Sequence, residues 1–398
     1  MSKLKVRSFR LNSGEHMALL AHGALGLPVI PATHYVLSRY RAGGLALASM
    51  RLGLRAVALG LDLFADLGID LIERAAQRRF LSRDELIVLA DRCRTSEPEL
   101  GSRLVTPHYS ATRYFTCIDY VKWVAEPVIA RISDGREHAA ALEALKRFEK
   151  RANGVAPRVD ARDGPVPGER LGMTPEQREL FLRVIQPSTP DKPNPDNPYS
   201  VALQVRTAAM LTLAYRLGPR AGDILGLKCA DIDFGARPAT VTFHVRKDDP
   251  DDRRSNPASA KTLGRILHLD DDLRDLLDDW ITNHRSNRGQ FPEAKTHLYV
   301  FVNYRGGALT DRGLRDIVST LAKRYPELAP LFPHLFRHDW NDRWNETNGD
   351  SGNAAADLRD QKYAMGWSQK STMPLRYGKR SIRNSANKKI ERMQRTKA

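Results

Sequence analysis

The sequence predicts a mainly α protein with a small antiparallel β-sheet, divided into an all-helical module and a mixed α/β module. Three observations carry this. Apolar residues recur at helical spacing in segment after segment, one pair of short stretches alternates with the period of a strand, and a proline- and glycine-rich interval lacking either period separates the halves. At 398 residues the chain is long enough for two or three domains with cores of their own.

Taken in order, residues 1–30 give a basic leader (Lys3, Lys5, Arg7, Arg10) and an apolar run from Met17 to Ile30, with no evident role. The run holds His22 and two glycines, follows sixteen polar-rich residues and is too short to span a bilayer, so neither a signal sequence nor a membrane anchor is expected. Leu45 to Leu67 reads as a helix. Ser82 with Glu85 forms a capping box that opens another, carrying Leu86, Leu89 and Ala90. From Ser110 to Ala130, Tyr114, Ile118, Val121 and Ala125 share one helical face, and Arg113, Lys122 and Arg131 are expected off it; Glu137 to Lys150 adds a further helix. Residues 31–152 thus read as a helical module, and residues 153–170, with three prolines and three glycines, as a linker.

A second module begins where Thr174, Pro175 and Gln177 supply an N-cap, a first-turn proline and the far side of a capping box. Pro187 to Pro198 holds five prolines and is expected to be an irregular loop. Helices follow over Ser200–Tyr215 and Asp223–Leu227. Val241, Phe243 and Val245, then Ile266, Leu267 and Leu269, predict two strands flanking a long polar tip, Lys247 to Ala260. Further helices are expected over Asp271–His284, over Asp311–Arg324 and around His334.

Composition narrows the partner. Sixty-three Lys and Arg against 47 Asp and Glu give a net charge of +16, and 41% hydrophobic residues describe a folded chain. A basic globular protein points to a polyanion, nucleic acid before membrane surface. Cys93, Cys117 and Cys229 are far apart in sequence and lack metal-ligand spacing, so they are expected as reduced core thiols in a cytoplasmic protein.

The chemistry-bearing residues lie in the second module. His334-Leu335-Phe336-Arg337-His338, Gly366-Trp367 and Arg376-Tyr377 supply a cation to clamp a phosphate, ring groups to hydrogen-bond one, and a phenol nearby. Upstream, Gly218-Pro219-Arg220 forms a turn between two helices, with Asp223 one helical turn on; a carboxylate at that spacing can hold the Arg220 guanidinium in one rotamer or make an ordinary surface ion pair. His334 and His338 are four apart, as zinc ligands can be, but no third ligand is evident; the aspartates after Lys247 lack the pattern of a calcium loop, and no Walker A loop is present.

In this order the four motifs resemble the signature of the tyrosine recombinase (phage integrase) family. The catalytic match covers about residues 170–380, and the helical part before it resembles the family's core-binding domain more loosely. The resemblance implies a leader (1–30), a core-binding, DNA-binding domain (31–152), a linker (153–170), a tyrosine-recombinase catalytic domain (171–380) and a basic C-terminal tail (381–398). It further implies an enzyme that cleaves and rejoins double-stranded DNA at recombination sites. Tyr377 would attack the scissile phosphate, forming a 3′-phosphotyrosine and freeing a 5′-hydroxyl. Arg220 and Arg337 would bind the non-bridging oxygens. His334 would assist proton movement, and His338 and Asp223 would support the site. A phenol is almost wholly protonated at neutral pH, so cations around the phosphate are what make it a nucleophile. The ester energy stays in the phosphotyrosine, so no cofactor, metal or ATP is required.

The family takes its general acid from a lysine on a β-hairpin. Two candidates stand here, Lys247 and Lys261; the acidic run after Lys247 (Asp248, Asp249, Asp251, Asp252) would repel a phosphate, which favours Lys261. Trp367 stands where many members have histidine, and its indole N–H can donate to a phosphate oxygen but cannot carry a proton. Two spacings depart from the family. Thirty residues separate Arg337 from Trp367, with polar Asn345 to Asn353 expected as a loop insertion, and ten separate Trp367 from Tyr377. Tyr363 precedes Gly366-Trp367 and is the poorer nucleophile. After Tyr377 the tail carries eight Lys and Arg against one Glu; it reads as a DNA-contacting strand, as a frayed end, or, by the resemblance, as a segment docking on a neighbouring protomer through Ile382, Ile390 and Met393. The resemblance also implies a homotetramer on two DNA sites that exchanges strands through a Holliday junction. A type IB topoisomerase and a non-cleaving regulator of the same fold are the alternatives.

Overall fold

The chain divides into two compact units, Met1–Pro165 and Val166–Ala398. The structure, a computed structural model, describes residues 4–23, 25–96, 103–158, 172–246, 249–259, 261–348, 353–377 and 379–395. The architecture is mainly α, with two small antiparallel sheets where the sequence showed one.

In the first unit, β1 (Leu4–Arg10) pairs antiparallel with β2 (His16–His22), in register from Leu4 opposite His22 to Arg10 opposite His16. β2 sends Met17, Ala18 and Leu20 into a core shared with Tyr35, Leu54, Val57, Tyr120 and Val124. The first part of the apolar run without an evident role, Met17 to Ala21, is therefore a strand buried along nearly its whole length, which is why it shows no period-two alternation, while Leu25, Leu27 and Ile30 beyond it are exposed. The helical unit is thus not purely helical, and residues 4–22 are part of its core.

The remaining elements are helical: α1 (Ile30–Tyr35), α2 (Leu47–Asp66), α3 (Leu71–Ala76), α4 (Arg83–Arg94), α5 (Pro107–Ala130) and α6 (Gly135–Val155). Ser82 and Glu85 close the expected capping box at α4, the side chains accepting from each other's backbone N–H at 3.2 and 2.7 Å. Tyr114, Ile118, Val121 and Ala125 of α5 are buried as their spacing requires. Arg113 is buried too, contrary to its expected place off that face. Its Nη1 donates to the Thr95 carbonyl at 2.7 Å and ties α5 to the end of α4, so it is structural. Cys93 and Cys117, distant in sequence, meet in this core, where their mutual hydrogen bond and burial push the Cys117 thiol well up.

The second unit opens with α7 (Pro175–Val184), whose Thr174–Gln177 capping box forms. The proline-rich loop follows, held by Asn194 donating to the carbonyls of Arg183 and Gln186. Then come α8 (Val201–Leu217) and α9 (Ala221–Gly226). From Thr207 to Tyr215 every residue of α8 is buried, as befits a helix that is apolar all round. A three-stranded sheet in the order β3 (Ile232–Asp233), β4 (Thr240–Phe243), β5 (Arg265–His268) lies beside it, with Phe243 opposite Arg265. α10 (Asp271–Asp279) runs on into a π-helical turn, and α11 (Asp311–Arg324), α12 (Leu335–Asn348), α13 (Ala354–Ala364), α14 (Met373–Tyr377) and α15 (Lys379–Arg395) complete the chain.

Three expectations change here. The polar tip is no solvated loop: Asp252 is 1% exposed and grips Arg254 through both carboxylate oxygens at 2.8 and 2.7 Å, while Arg254 donates to the Leu225 and Leu309 carbonyls. The stretch taken as a loop insertion, Asn345 to Asn353, is in its first four residues the last turn of α12, and Asn353 caps α13; residues 349–352 lie outside the described residues. Buried amides join these two helices, Gln361 donating to Asn341 and Asn341 to the Arg337 carbonyl. The tail is a helix, α15, lying against α12 and not a strand.

α12 carries much of the site, and its other face is fixed by charge. Asp339, fully buried, accepts from the Met173 N–H at 2.9 Å, from Arg178 at 2.8 Å and from Arg343 at 3.0 Å, and Asp342 accepts from the Gly172 N–H at 2.7 Å. Charged hydrogen bonds of this number on one buried carboxylate hold a helix in one rotation.

Candidate active site

Two turns deliver the site's backbone. Gly218 ends α8 in the left-handed conformation (φ 58°), and a Cβ there would meet the Trp340 side chain at 2.8 Å, so only glycine lets α8 end against α12. Its carbonyl accepts from Arg337 Nη1 at 3.0 Å. Gly366 ends the α13 turn at φ 61°, and a Cβ there would strike the Leu263 carbonyl and the Thr262 side chain at 2.8 Å. These glycines let the segments bearing Arg220, Arg337 and Trp367 approach one another.

Arg337, in the first turn of α12, is 0% exposed. Nη1 and Nη2 donate to the carbonyls of Gly218 and Met365, and Nε has no partner. Among the described residues no carboxylate is paired with it. Burial pushes its pKa down to about 9, and the Arg220 cation adds to this. It remains charged at neutral pH, held by geometry and not by a counter-ion.

Around it the candidate residues converge. Trp367 lies with its ring 5.1 Å from the Arg337 guanidinium carbon and stacks on Tyr377 with ring centres 5.4 Å apart. His334, just ahead of α12, places Nε2 2.6 Å from the Tyr377 hydroxyl. The His338 ring centre is 4.7 Å from that of Tyr377 and packs edge-on to His334 at 5.1 Å. Tyr377 is itself buried at the end of α14, so the phenol comes from the same chain as the two histidines.

Eight buried polar side-chain atoms lack a hydrogen-bond partner among the described residues, and half of them belong to this one site: Arg220 Nη1, Arg265 Nε, Arg337 Nε and Trp367 Nε1. The rest are on His16, Ser110, Arg178 and Arg206, each on a separate element. An unmet buried donor costs roughly 1–3 kcal/mol, so several donors together, three of them cationic, describe an anion site. A tetrahedral oxyanion with several acceptor atoms fits this donor set.

The structure redistributes Asp223. Its spacing suggested that it holds the Arg220 guanidinium, but its carboxylate accepts instead from the Arg220 backbone N–H at 3.1 Å, from Thr262 Oγ1 at 2.7 Å and from Arg265 Nη2 at 3.0 Å. Arg265 was missed in the sequence. Its signal was there: the period of two through Leu269 and Leu267 lands on Arg265, a cation at a core-facing strand position. It is 3% exposed, stacks on Phe243 with its guanidinium carbon 4.5 Å from the ring centre, and has its pKa pushed down by burial.

Of the two lysines, Lys261 is exposed and adjoins Thr262, which is bonded to Asp223. Lys247 and Asp248 lie outside the described residues. The other aspartates expected to repel a phosphate are paired: Asp249 and Asp251 with Lys228 at 3.0 and 2.7 Å, Asp252 with Arg254. Tyr363 is engaged elsewhere, its hydroxyl 3.3 Å from both the N–H and the carbonyl of Ile266, so it joins α13 to β5. On α15, Ile390 is 49% and Met393 75% exposed, while the side chain of Ile382 lies outside the described residues.

Residues 194–381 match the family model described as the phage integrase family. Curated relatives include tyrosine recombinase XerC of Bacillus pumilus, 28% identical over 173 residues that cover 44% of this chain and 49% of that protein. Tyrosine recombinase XerD of Halalkalibacterium halodurans is 26% identical over 185 residues, 46% of this chain and 52% of that protein. The chain thus spans about half the length of the curated relatives it matches. Among solved structures, the Tn1549 transposon integrase in complex with transposon right end DNA superposes with a TM-score of 0.56 at 18% identity, covering 92% of this chain and 98% of that one. The same integrase with circular intermediate DNA gives 0.52 at 15% identity, covering 87% and 94%. These structures share the fold. The second unit thus carries, over residues 194–381, a domain that matches the phage integrase family and resembles tyrosine recombinases.

Proposed function

We propose that the protein is a site-specific DNA recombinase that cleaves and rejoins duplex DNA through a 3′-phosphotyrosine intermediate and a Holliday junction, acting as a homotetramer on two DNA sites. The observation that carries this is the 2.6 Å contact of His334 Nε2 with the Tyr377 hydroxyl, beside buried cationic and indole donors without partners. In the cleavage step the Tyr377 oxygen forms a bond to phosphorus as its proton passes to His334 Nε2. The bond from phosphorus to the 5′-oxygen breaks, its electron pair stays on that oxygen, and Lys261 supplies the proton. Arg220, Arg337 and Trp367 donate to the non-bridging oxygens, which carry the charge that grows in the transition state. Rejoining reverses each transfer. No step needs a metal or a nucleotide. His338 packs the nucleophile and Asp223 supports the site through its three hydrogen bonds.

The +16 net charge and the DNA held by the related transposon integrase support duplex DNA as partner. The exposed Ile390 and Met393 on a helix that directly follows the nucleophile support docking of α15 on a neighbouring protomer. The test is covalent capture. Incubated with nicked duplexes from DNA flanking its own coding sequence, the wild-type protein is expected to form an SDS-resistant adduct that maps to defined positions, and Tyr377→Phe to bind but form none. A persisting adduct would sink the nucleophile assignment. Relaxation of supercoiled DNA by a monomer at any sequence would replace recombination by topoisomerase action, and DNA binding without any adduct would leave a non-cleaving regulator.

A further inference from the structure

We infer that Thr262 and Arg265 are positioning residues for the proton donor, and that the buried Asp223 carboxylate is the dock that brings the Lys261 segment to the phosphate site. This rests on the proposed reading of Lys261 as general acid and adds how the fold places it.

The residues after Lys261 are attached by three hydrogen bonds and one close contact. Thr262 Oγ1 donates to Asp223 Oδ1 at 2.7 Å and Arg265 Nη2 to Asp223 Oδ2 at 3.0 Å. The Leu263 N–H donates to the Gly366 carbonyl at 2.9 Å, and Arg265 Nη1 and the Thr262 side chain press on Gly366 so closely that a Cβ there would fall within 2.9 Å of both. On the other side of Lys261, the Ala258 N–H donates to Asp252, which grips the buried Arg254. Lys261 is therefore an exposed residue on a short span between two fixed points, next to a buried threonine. The partners of those points belong to the site itself. Asp223 also takes the Arg220 N–H, and Gly366 precedes Trp367. One carboxylate thus joins the backbone of the first arginine to the segment of the lysine. That explains why it does not grip the Arg220 guanidinium, whose Nη1 stays without a partner and available to a ligand.

Placement of a proton donor can be separated from fold and from phosphate binding by changing the leaving atom. Replacing the 5′-bridging oxygen by sulfur gives a thiolate that departs without a proton, so a defect in proton donation disappears on that substrate while a defect in phosphate binding remains. The probes are two nicked duplexes of the mapped cleavage sequence, one with oxygen and one with sulfur at that position, read by single-turnover adduct formation. Lys261→Ala is expected to be slowed on the order of 100-fold or more with oxygen and to recover with sulfur. Thr262→Val, which removes only the hydroxyl, is expected to be slowed on the order of 10- to 100-fold with oxygen and to recover likewise with sulfur. Arg265→Lys is expected to fall between them, with Thr262→Val deciding the matter if Arg265→Lys does not fold. Thr262→Val slowed equally on both substrates, or on neither, overturns the positioning role. Lys261→Ala failing to recover with sulfur overturns the acid assignment beneath it, an outcome read from a different variant.

Discussion

Arg254 and Arg337 are both buried guanidiniums in the second unit, and they are satisfied in opposite ways. Arg254 has Asp252 on two nitrogens, two carbonyls on a third, and its guanidinium carbon 4.6 Å from the Tyr299 ring centre. Nearby Arg246 holds Asp231, and Lys228 holds Asp249 and Asp251. Arg337 has two carbonyls, no paired carboxylate among the described residues, and the Arg220 cation close enough to lower its pKa further. The first region pairs these charges with one another and so fixes the chain. The second buries positive charge that only an anion from outside can balance, and so is left to bind one. Two buried arginines can thus be told apart by what remains unmet.

The largest expected effect tests the unmet side. Arg337→Ala should slow adduct formation by about 100- to 1000-fold, the usual loss for one preorganised donor to a charged transition state. Its melting temperature should fall less than that of Arg254→Ala, since an unbalanced cation leaves with the side chain. Arg254→Ala, in contrast, strands Asp252 in the core and should cost about 3–5 kcal/mol in denaturant unfolding, as breaking a buried pair typically does. Equal destabilisation by the two changes would break the contrast.

Trp367→Phe sharpens it further. The stack on Tyr377 can persist while the unpartnered Nε1–H is lost, so cleavage should slow by on the order of 100-fold, as for other single donors, with stability unchanged or slightly raised. Inorganic phosphate or sulfate should stabilise the free protein, by about 2.7 kcal/mol at a concentration one hundred times its Kd. The sign with pH follows from Arg337. Its pKa is pushed down to about 9 in the folded protein, so between that value and the higher ordinary guanidinium value the unfolded chain binds the extra proton and stability rises with pH. Below about 9 the folded protein carries the buried cation, and the anion's stabilisation should be full there and fade above. Thermal shifts at pH 7 and pH 10 measure this; a shift that grows with pH would remove Arg337 from the anion site. The smallest effect belongs to Tyr363→Phe, which should lose about 1 kcal/mol with its hydrogen bonds to Ile266 and leave adduct formation intact.

The local rules were legible along the chain. Capping boxes at Ser82 and Thr174, the helical faces of α2 and α5, and the alternation of Val241 and Phe243 in β4 each depend on neighbours a few residues apart, and the structure has them where the spacing put them, except that β4 ends before Val245, which is exposed. The order of the motifs from Arg220 to Tyr377 was likewise open to reading, because each cluster is contiguous. What failed were inferences that depend on partners distant in sequence. Asp223 looked like the keeper of Arg220 until Thr262 and Arg265, 39 and 42 residues on, took its oxygens. Arg113 looked exposed until the end of α4 supplied carbonyls for it. The aspartates of the supposed tip looked solvated until Lys228 and Arg254 met them. By itself the sequence determined the elements and the stock of reactive groups, since both follow from local spacing and residue chemistry. Only the tertiary structure decided which charges are paired and which are left for a ligand, because pairing depends on distance in space and on the water that burial removes.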